Sequence, residues 1–391
     1  MQQIELCDKL LCTGCGACMN VCPKSAITMH YDDEGFQIPI INRDTCVECG
    51  LCQKVCPIIN KQINKLPSSP LVIYAGYIKD EDIRKNSASG GAFPGFANYY
   101  YSQKNGMVVA ASFDEHLNLR HIISTKKSDL IKFQGSKYLQ SEIGFVFKDI
   151  LNSLKKEVEI LFVGTPCQVA GLNAFLRKDY ENLLTVDLVC HGVPSPRLFN
   201  SYLAQVGVST KNEYKDFFFR SRNDSAFFLH SLYNKNGSIK VISPDKHSYI
   251  CAYLKGWIHR ESCYRCPFAA IPRQGDCTIA DFWGILAGKV PFAGDRSKGV
   301  SMIMLNNQKG LLFFEKIKND FYLEEKSIEE AKIDNHNLYT HDERPDVRDT
   351  IYGEMYRTSP KNLIKKYNFK IPVPPSIWKR IKQRIVHILG Q

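Results

Sequence analysis

The chain has 391 residues, of which 44% are hydrophobic and 23% are charged, a composition typical of a globular protein of two or three domains. No stretch approaches the ~18–20 uninterrupted apolar residues of a membrane-spanning helix, and the first ten residues lack the basic start and apolar run of a signal peptide. These features exclude a membrane-spanning protein at the level of sequence and predict a soluble, cytoplasmic one.

Charge is unevenly distributed along the chain. Residues 1–60 carry four Lys/Arg and seven Asp/Glu, a net charge of −3, so the formal total of +11 leaves +14 on the rest. An acidic unit tethered to a basic body can dock by electrostatic attraction. Nucleic-acid binding is not expected, because outside the tail the basic residues form no single dense patch interleaved with aromatic residues.

Cysteines are concentrated at the start of the chain, where nine of the fifteen fall within residues 1–56. In a reducing compartment, crowded cysteines indicate metal or redox chemistry rather than disulfides. Residues 12–23 read Cys-Thr-Gly-Cys-Gly-Ala-Cys-Met-Asn-Val-Cys-Pro, and residues 46–57 read Cys-Val-Glu-Cys-Gly-Leu-Cys-Gln-Lys-Val-Cys-Pro. Every cysteine of the first run recurs 34 positions later, which indicates an internal duplication.

This spacing predicts two 4Fe-4S clusters. Three cysteines two residues apart wrap a loop around one cubane, and the fourth, followed by proline, reaches the other cluster. The predicted ligands therefore form two crossed sets: Cys12, Cys15, Cys18 and Cys56 for one cluster, and Cys46, Cys49, Cys52 and Cys22 for the other. Zinc sites use more widely separated CxxC pairs. Cys7 lies outside the pattern and is expected to be a plain thiol.

Residues 1–60 resemble bacterial two-cluster ferredoxins, which implies a duplicated α+β ferredoxin domain that transfers electrons. The polar, Pro/Ser-rich residues 61–70 predict a linker. From residue 71, apolar runs alternate with helical segments, which predicts a larger α/β domain, residues 71–355, with a mixed, largely parallel sheet. Its predicted strands are 72–78, 107–113, 158–163, 183–189 and 300–305, its predicted helices 91–103, 141–155, 168–178, 196–206 and 309–318, and residues 214–245 are predicted as a β insertion or edge strands.

Several loops of this domain can carry chemistry. The glycine-rich residues 86–92 precede a predicted helix, where they can bind a phosphate or simply form a turn. Cys167 and Cys190 follow apolar strands, and ligands bind at the carboxyl ends of strands in open α/β sheets. With Cys263 and Cys266 they can hold a third 4Fe-4S cluster, in which Cys277 can replace one ligand.

The spacing of these cysteines leaves a zinc site and a set of buried apolar thiols as alternatives to the cluster. His191, beside Cys190, is a candidate proton donor or a structural histidine.

Six segments resemble the coenzyme F-420 (deazaflavin) hydrogenase/dehydrogenase beta-subunit family, in its bacterial form with an N-terminal two-cluster ferredoxin domain. They are Ser87-Ala-Ser-Gly-Gly91, Gly135-Ser-Lys-Tyr138, Gly164-Thr-Pro-Cys-Gln-Val-Ala-Gly-Leu172, Val186-Asp-Leu-Val-Cys-His-Gly-Val-Pro-Ser195, Cys263-Tyr-Arg-Cys266 and Gly275-Asp-Cys-Thr-Ile-Ala-Asp-Phe-Trp-Gly284. The resemblance implies FAD beside a 4Fe-4S cluster in the large domain. The implied cluster ligands are Cys167, Cys190, Cys263 and Cys266, whereas relatives often carry an aliphatic residue at the position of Cys277. The implied flavin contacts are Ser89, Gly90, Gly91, Ser136, Lys137, Tyr138, Gly164 and Thr165.

The resulting hypothesis is an iron–sulfur flavoprotein oxidoreductase. A redox partner, a ferredoxin or a reductase, supplies single electrons, and the flavin converts them to two-electron chemistry on an organic hydride acceptor. Bacterial relatives of this layout often occur alongside genes of surface-polysaccharide biosynthesis, which makes that pathway one setting for the acceptor. The alternatives are a non-catalytic subunit that relays electrons to a partner enzyme and a flavin-free iron–sulfur interaction module.

The C-terminal tail, residues 356–391, is basic and ends in a predicted amphipathic helix. Residues 355–391 contain nine Lys/Arg and no acid. The apolar residues of one helix face are Ile377, Trp378, Ile381, Ile385, Ile388 and Leu389. Such a helix suits peripheral contact with the inner face of an anionic membrane. It equally suits packing on the protein's own core or on its acidic domain, and we favour this intramolecular packing.

Overall fold

A computed structural model describes residues 4–60, 69–208, 213–221 and 229–370 of the chain. The N-terminal part is a small α+β unit. Its elements are α1 (Ala17–Val21), β1 (Ile27–Tyr31), β2 (Gln37–Ile41) and α2 (Leu51–Lys54), and β1 pairs with β2 in an antiparallel hairpin. Gly16 and Gly50, with φ of 75° and 70°, precede the two helices. This left-handed backbone, which glycine adopts without steric cost, turns each cysteine loop into its helix.

The large domain is built on an eight-stranded mixed sheet. Its strands are β3 (Val72–Ile78), β4 (Gly106–Phe113), β5 (Leu119–Ser124), β6 (Glu159–Gly164), β7 (Leu183–Leu188), β11 (Cys277–Asp281), β12 (Ser301–Leu305) and β13 (Phe321–Glu325), in the spatial order β13-β3-β12-β11-β7-β6-β4-β5. The strands β8 (Tyr214–Ser221), β9 (Leu229–Asn234) and β10 (Ile239–Val241) form a separate antiparallel sheet. The predicted β insertion is therefore a sheet of its own.

The prediction of a largely parallel sheet is wrong. Parallel pairing is confined to β4, β6, β7 and β11, whereas β3, β12 and β13 pair antiparallel at one side and β5 at the other. The strands that sequence reasoning missed, β5, β11 and β13, are among those that make the antiparallel pairs. They are short and carry polar residues, so they lack the apolar runs that identified the other strands.

The helices of the large domain pack on the large sheet and around the small one. They are α3 (Glu81–Lys85), α4 (Ala92–Ser102), α5 (Leu130–Phe133), α6 (Val146–Leu154), α7 (Pro166–Leu176), α8 (Pro196–Gln205), α9 (Ser248–Leu254), α10 (Trp283–Leu286), α11 (Gln308–Glu315), α12 (Ile328–Lys332), α13 (Arg348–Glu354) and α14 (Pro360–Lys366). Helix α6 begins five residues later than predicted, because Glu142 exchanges backbone hydrogen bonds with Leu119 and His121 beside β5.

Side-chain alternation along the central strands divides the core into two layers. On β4, Val108 and Ala110 pack with α4 and α11, whereas Met107 and Val109 pack with α6 and α7 on the opposite face. The second layer continues into the N-terminal unit, because Ala17, Val21 and Val55 belong to the same buried cluster as residues of α6 and α7. The two units thus share one apolar core.

The described part of the predicted tail packs against the large domain. Leu363 of α14 is 1% exposed, and Phe369 is 5% exposed beside Trp257. The predicted amphipathic helix lies outside the described residues. Within residues 4–60, 69–208, 213–221 and 229–370 there is no helix long and apolar enough to cross a membrane.

Candidate cofactor sites

The structure brings together the cysteines of each crossed set in the N-terminal unit. One cavity, here the inner cysteine cavity, is lined by Cys12, Cys15, Cys18 and Cys56. The other, the outer cysteine cavity, is lined by Cys22, Cys46, Cys49 and Cys52. Cys49 is exposed, whereas Cys15 lies against α7 of the large domain. The outer cavity therefore has a cysteine at the protein surface, whereas the inner cavity borders the large domain.

Burial opposes the ionisation of the inner thiols. It raises the pKa of Cys15 to about 12 and that of Cys18 well above its usual value. Bare thiols in this setting stay protonated, but a coordinated metal ion deprotonates a thiol outright. Four soft sulfur donors around one cavity fit a 4Fe-4S cubane, each of whose irons takes one thiolate.

Cys7 also lines the inner cavity, although it lies outside the repeated motif. Interaction between the two thiols lowers the pKa of Cys56 and, together with burial, raises that of Cys7. Cys7 is therefore a neighbour of the predicted ligand Cys56 in this cavity.

The four predicted cysteines of the large domain line one further cavity, here the third cysteine cavity. They are Cys167, Cys190, Cys263 and Cys266. Cys167 is the second residue of α7, where the Thr165 side chain caps the helix and lies 3.2 Å from the Cys167 sulfur. Burial raises the pKa of Cys167 to about 11, so the helix start alone does not make it a thiolate.

Two other cysteines of the large domain lie elsewhere. Cys277 is fully buried among apolar side chains on β11, and Cys251 is buried in the cluster around α9. Neither lines the third cysteine cavity. The structure thus places Cys277 in the core, as the resemblance implied.

A buried carboxylate holds the third cavity together. Asp187, which is 0% exposed on β7, accepts hydrogen bonds from the backbone N–H groups of Gln274 (2.8 Å) and Gly275 (3.3 Å) and from the Arg273 guanidinium (3.3 Å). These bonds fasten the strand that leads to Cys190 to the segment that follows Cys266.

In the described part of the chain, no three His, Cys, Asp or Glu side chains converge as closely as the ligands of a single metal ion.

A cavity of about 810 Å³, here the large cavity, lies at the carboxyl ends of the parallel strands. Seven of the eight predicted flavin contacts line it: Ser89, Gly91, Ser136, Lys137, Tyr138, Gly164 and Thr165. Gly90 does not, because it packs against the backbone of β3, where a Cβ would lie 2.4 Å from the Gly76 oxygen. The volume is within the range of small-molecule and cofactor sites.

The starts of two helices form polar parts of the large-cavity wall. Gly91, with a φ of 88°, precedes α4, and Thr165 caps α7. Backbone N–H groups at helix N-termini attract phosphate. Lys137 is less available to an anion, because its ammonium group donates to the carbonyl oxygens of Phe133, Gln134 and Gly135. Burial lowers the pKa of Lys137 to about 8.

Sequence reasoning missed a buried hydrogen-bonded chain beside these residues. Gln168 donates to the Ser141 hydroxyl (2.9 Å), which lies 3.1 Å from His121 Nδ1, and His121 Nε2 donates to the Val163 carbonyl (3.0 Å). Burial lowers the pKa of His121 to about 4. Neither His121 nor Ser141 belongs to a recognisable motif, so no sequence signal pointed to them.

A second missed group is charged. Arg220 and Asp281 form a buried ion pair at 2.7 Å, and Trp283 lies 5.6 Å from the guanidinium. Asp281 and Trp283 line the large cavity. Both belong to the family-like segment Gly275–Gly284. The sequence therefore marked the segment, but it did not indicate that these two side chains line the large cavity.

The four cavities form a row in which each shares wall residues with the next. Cys52 lines both the outer and the inner cavity, and Thr13 lines both the inner and the third cavity. The third and the large cavity share a longer wall, which consists of Ser141, Thr165, Gln168, Cys190, His191, Gly192 and Val193. His191 is thus between the two cavities, and burial lowers its pKa.

Comparisons with known proteins identify the family of each part of the chain. Residues 73–148 match the N-terminal profile of the coenzyme F420 hydrogenase/dehydrogenase beta subunit, residues 158–331 match its C-terminal profile, and residues 11–58 match a 4Fe-4S dicluster domain. The F420-reducing [NiFe] hydrogenase complex of Methanosarcina barkeri, solved with xenon, has a similar chain with 15% identity and a TM-score of 0.45. The match covers 78% of this chain and 94% of that chain. No curated protein sequence matches.

Proposed function

The chain belongs to the coenzyme F420 hydrogenase/dehydrogenase beta-subunit family, and on that premise we propose that it is an iron–sulfur flavoprotein oxidoreductase. Its N-terminal 4Fe-4S dicluster domain assigns it to iron–sulfur electron transfer. In the proposal, a ferredoxin or reductase partner supplies electrons, three 4Fe-4S clusters occupy the three cysteine cavities, and FAD occupies the large cavity. An organic hydride acceptor is the substrate.

The row of four cavities with shared walls carries the proposal. Electron transfer needs cofactor sites that are close to one another, and here each site borders the next. The order is also chemically sensible: the cavity with the exposed Cys49 is at one end, and the cavity large enough for an organic cofactor is at the other. When bound, clusters move single electrons and a flavin exchanges them for electron pairs.

Hydrogen bonds within the chain brace the wall between the third and the large cavity. Thr165 and Gln168 brace the start of α7, which carries Cys167. The same two residues form part of the wall toward the large cavity. Because Ser141, Thr165 and Gln168 of this wall are linked by hydrogen bonds, we expect little rearrangement there when electrons pass.

The helix starts at Gly91 and Thr165 are the proposed phosphate contacts, which a dinucleotide such as FAD supplies. Asp281, which is paired with Arg220, and the ring of Trp283 form part of the wall at the carboxyl end of β11. His191, between the two cavities, remains a candidate for moving a proton at its imidazole. A role in surface-polysaccharide biosynthesis rests on the resemblance and stays a prediction.

The proposal is tested by the flavin content of protein purified under strict anaerobiosis. Acid treatment should release about one flavin per chain, and chromatography should identify it as FAD. Ala88→Trp, which places an indole in the large cavity, should lower the flavin content severalfold without loss of iron. Leu312→Trp, at a position 57% exposed on α11, is the matched control and should keep wild-type flavin. Protein with intact iron but no flavin would refute the flavoprotein oxidoreductase hypothesis and leave the alternative of an electron-relay subunit.

A further inference from the structure

Arg260 is buried between two of the cysteine cavities. Its side chain is 3% exposed and lines the third cysteine cavity. Its Nε donates to the carbonyl oxygen of Cys12 at 2.7 Å, and the two terminal nitrogens donate to Gln140 Oε1 and to the Gln37 carbonyl oxygen, both at 2.9 Å. One guanidinium thus joins the loop of the inner cavity to the wall of the third.

The backbone of Arg260 is tied to the third cavity as well. Its N–H donates to the Val193 carbonyl oxygen (2.8 Å), and its own carbonyl oxygen accepts from the N–H of Cys263 (2.9 Å). Val193 and Cys263 both line that cavity. The charge is therefore held in a fixed position relative to both sets of cysteines.

Arg260 differs from the other buried arginines in its partners. Arg84, Arg220, Arg273 and Arg348 each have a carboxylate within 4.0 Å: those of Asp295, Asp281, Asp187 and Glu34. Among the residues that the structure describes, no carboxylate forms an ion pair with Arg260; its partners are neutral oxygens. A buried charge without a counter-charge is costly. A nearby anion other than a carboxylate would remove that cost.

The thiols on either side of Arg260 supply such an anion once they bind iron. Burial raises the pKa values of Cys12 and Cys167, and the guanidinium lowers both of them in opposition to burial. A 4Fe-4S cluster with four thiolates carries a net negative charge, which grows on reduction. A fixed positive charge therefore favours the reduced form of each cluster that it faces.

We propose that Arg260 is the shared counter-ion of the inner and third clusters, and that its charge raises the reduction potentials of both. Electrons that enter at the exposed outer cavity are then drawn toward the large domain. This inference rests on the proposed function, because it requires clusters in both cavities. It assigns a positioning and tuning role to a residue outside every cysteine motif.

The test is a potentiometric titration of anaerobic protein followed by low-temperature EPR, after iron analysis of each variant. In Arg260→Gln, the midpoint potentials of the inner and third clusters should fall by at least about 59 mV. For one electron this is a tenfold change in the ratio of reduced to oxidised cluster. The midpoint potential of the outer cluster should not move. Arg260→Lys, which keeps the charge, should have midpoint potentials close to those of the wild type.

Two further variants separate charge from structure. Arg348→Gln removes another buried arginine that joins the two units, but one that is already paired with Glu34 and lines none of the cysteine cavities. It should leave all three midpoints in place. Gln140→Glu puts a carboxylate 2.9 Å from the guanidinium without removing Arg260, and should reproduce the downward shift even if Arg260→Gln fails to fold.

The outcomes distinguish this inference from the proposed function. Wild-type protein without iron in the third cavity would refute the proposed function. Intact iron with unchanged midpoints in both Arg260→Gln and Gln140→Glu would overturn the role of Arg260 alone. An equal shift in Arg348→Gln would also overturn it, because the effect would then come from loosened packing.

Discussion

Gly171 on α7 lies directly against Cys15, so that a Cβ on Gly171 would be 2.9 Å from the Cys15 Cβ and 3.0 Å from its sulfur. Helix α7 therefore approaches the inner cysteine loop as closely as a helix backbone can. Cys167 lies one turn away on the same helix. This contact brings the inner and third cysteine cavities next to each other.

Gly171→Ala should push the inner cysteine loop away from α7. The added methyl group meets the Cβ of Cys15, which cannot swing aside because it is bonded directly to the backbone. Overpacking of this kind costs about 1–3 kcal/mol, and we expect a lower Tm with faster loss of iron to a chelator. Gly353→Ala on α13 is the control, since its nearest atom is the end of a flexible arginine at 3.8 Å. Equal effects of the two substitutions would contradict close packing at Gly171.

Cys7 and Cys56 are expected to have different roles in the inner cavity. Both line the inner cavity, but only Cys56 belongs to the crossed set. Cys56→Ala should remove one cluster, about four iron atoms per chain, whereas Cys7→Ala should keep the wild-type iron content. Iron analysis of the two anaerobically purified variants decides the matter, and the reverse result would exchange their roles.

Burial of His121 predicts a loss of stability in mild acid. Its pKa is about 4 in the folded protein, against an ordinary value near 6.5, so between these values the unfolded chain binds more protons. Stability therefore falls as the pH decreases from about 6.5 toward 4, by about 2 kcal/mol between pH 7 and pH 5 for this residue. Thermal unfolding of His121→Gln at the two pH values should show a smaller decrease than wild type.

His116→Gln is the matched control for this experiment, because the His116 side chain is 56% exposed. It should keep the full acid sensitivity of the wild type. If His121→Gln and His116→Gln lose the same number of degrees between pH 7 and pH 5, the stability does not depend on the neutral form of His121.

Local patterns predicted the features that depend on neighbouring residues. The repeated cysteine spacing grouped the cysteines into two sets, and each set lines a common cavity. Apolar runs identified β3, β4, β6, β7 and β12. The boundary of α6 was missed because Ser141 and Glu142 are held by β5 rather than by the helix. Local propensity yields there to tertiary hydrogen bonds.

Long-range relations could not be predicted in this way. Arg260 meets the carbonyl oxygen of Cys12 across 248 positions of the chain, and nothing near residue 260 indicates that contact. The antiparallel side of the sheet ends with β13, a short strand that pairs with β3. Three charged residues in succession, 324–326, stand at its end and hide it from a search for apolar runs. Gly90 was grouped with the cavity residues by its motif, but close packing against Gly76 turns it toward the sheet.

In the proposed order of sites, electrons reach the large cavity through the third cysteine cavity, and Cys167→Ser interrupts this route. The variant should keep its flavin and lose about four iron atoms per chain. Stopped-flow absorbance should then show rapid flavin bleaching by a dithionite-reduced ferredoxin in the wild type and almost none in the variant. Flavin bleaching at the wild-type rate in a variant that lacks those irons would contradict the proposed order of sites.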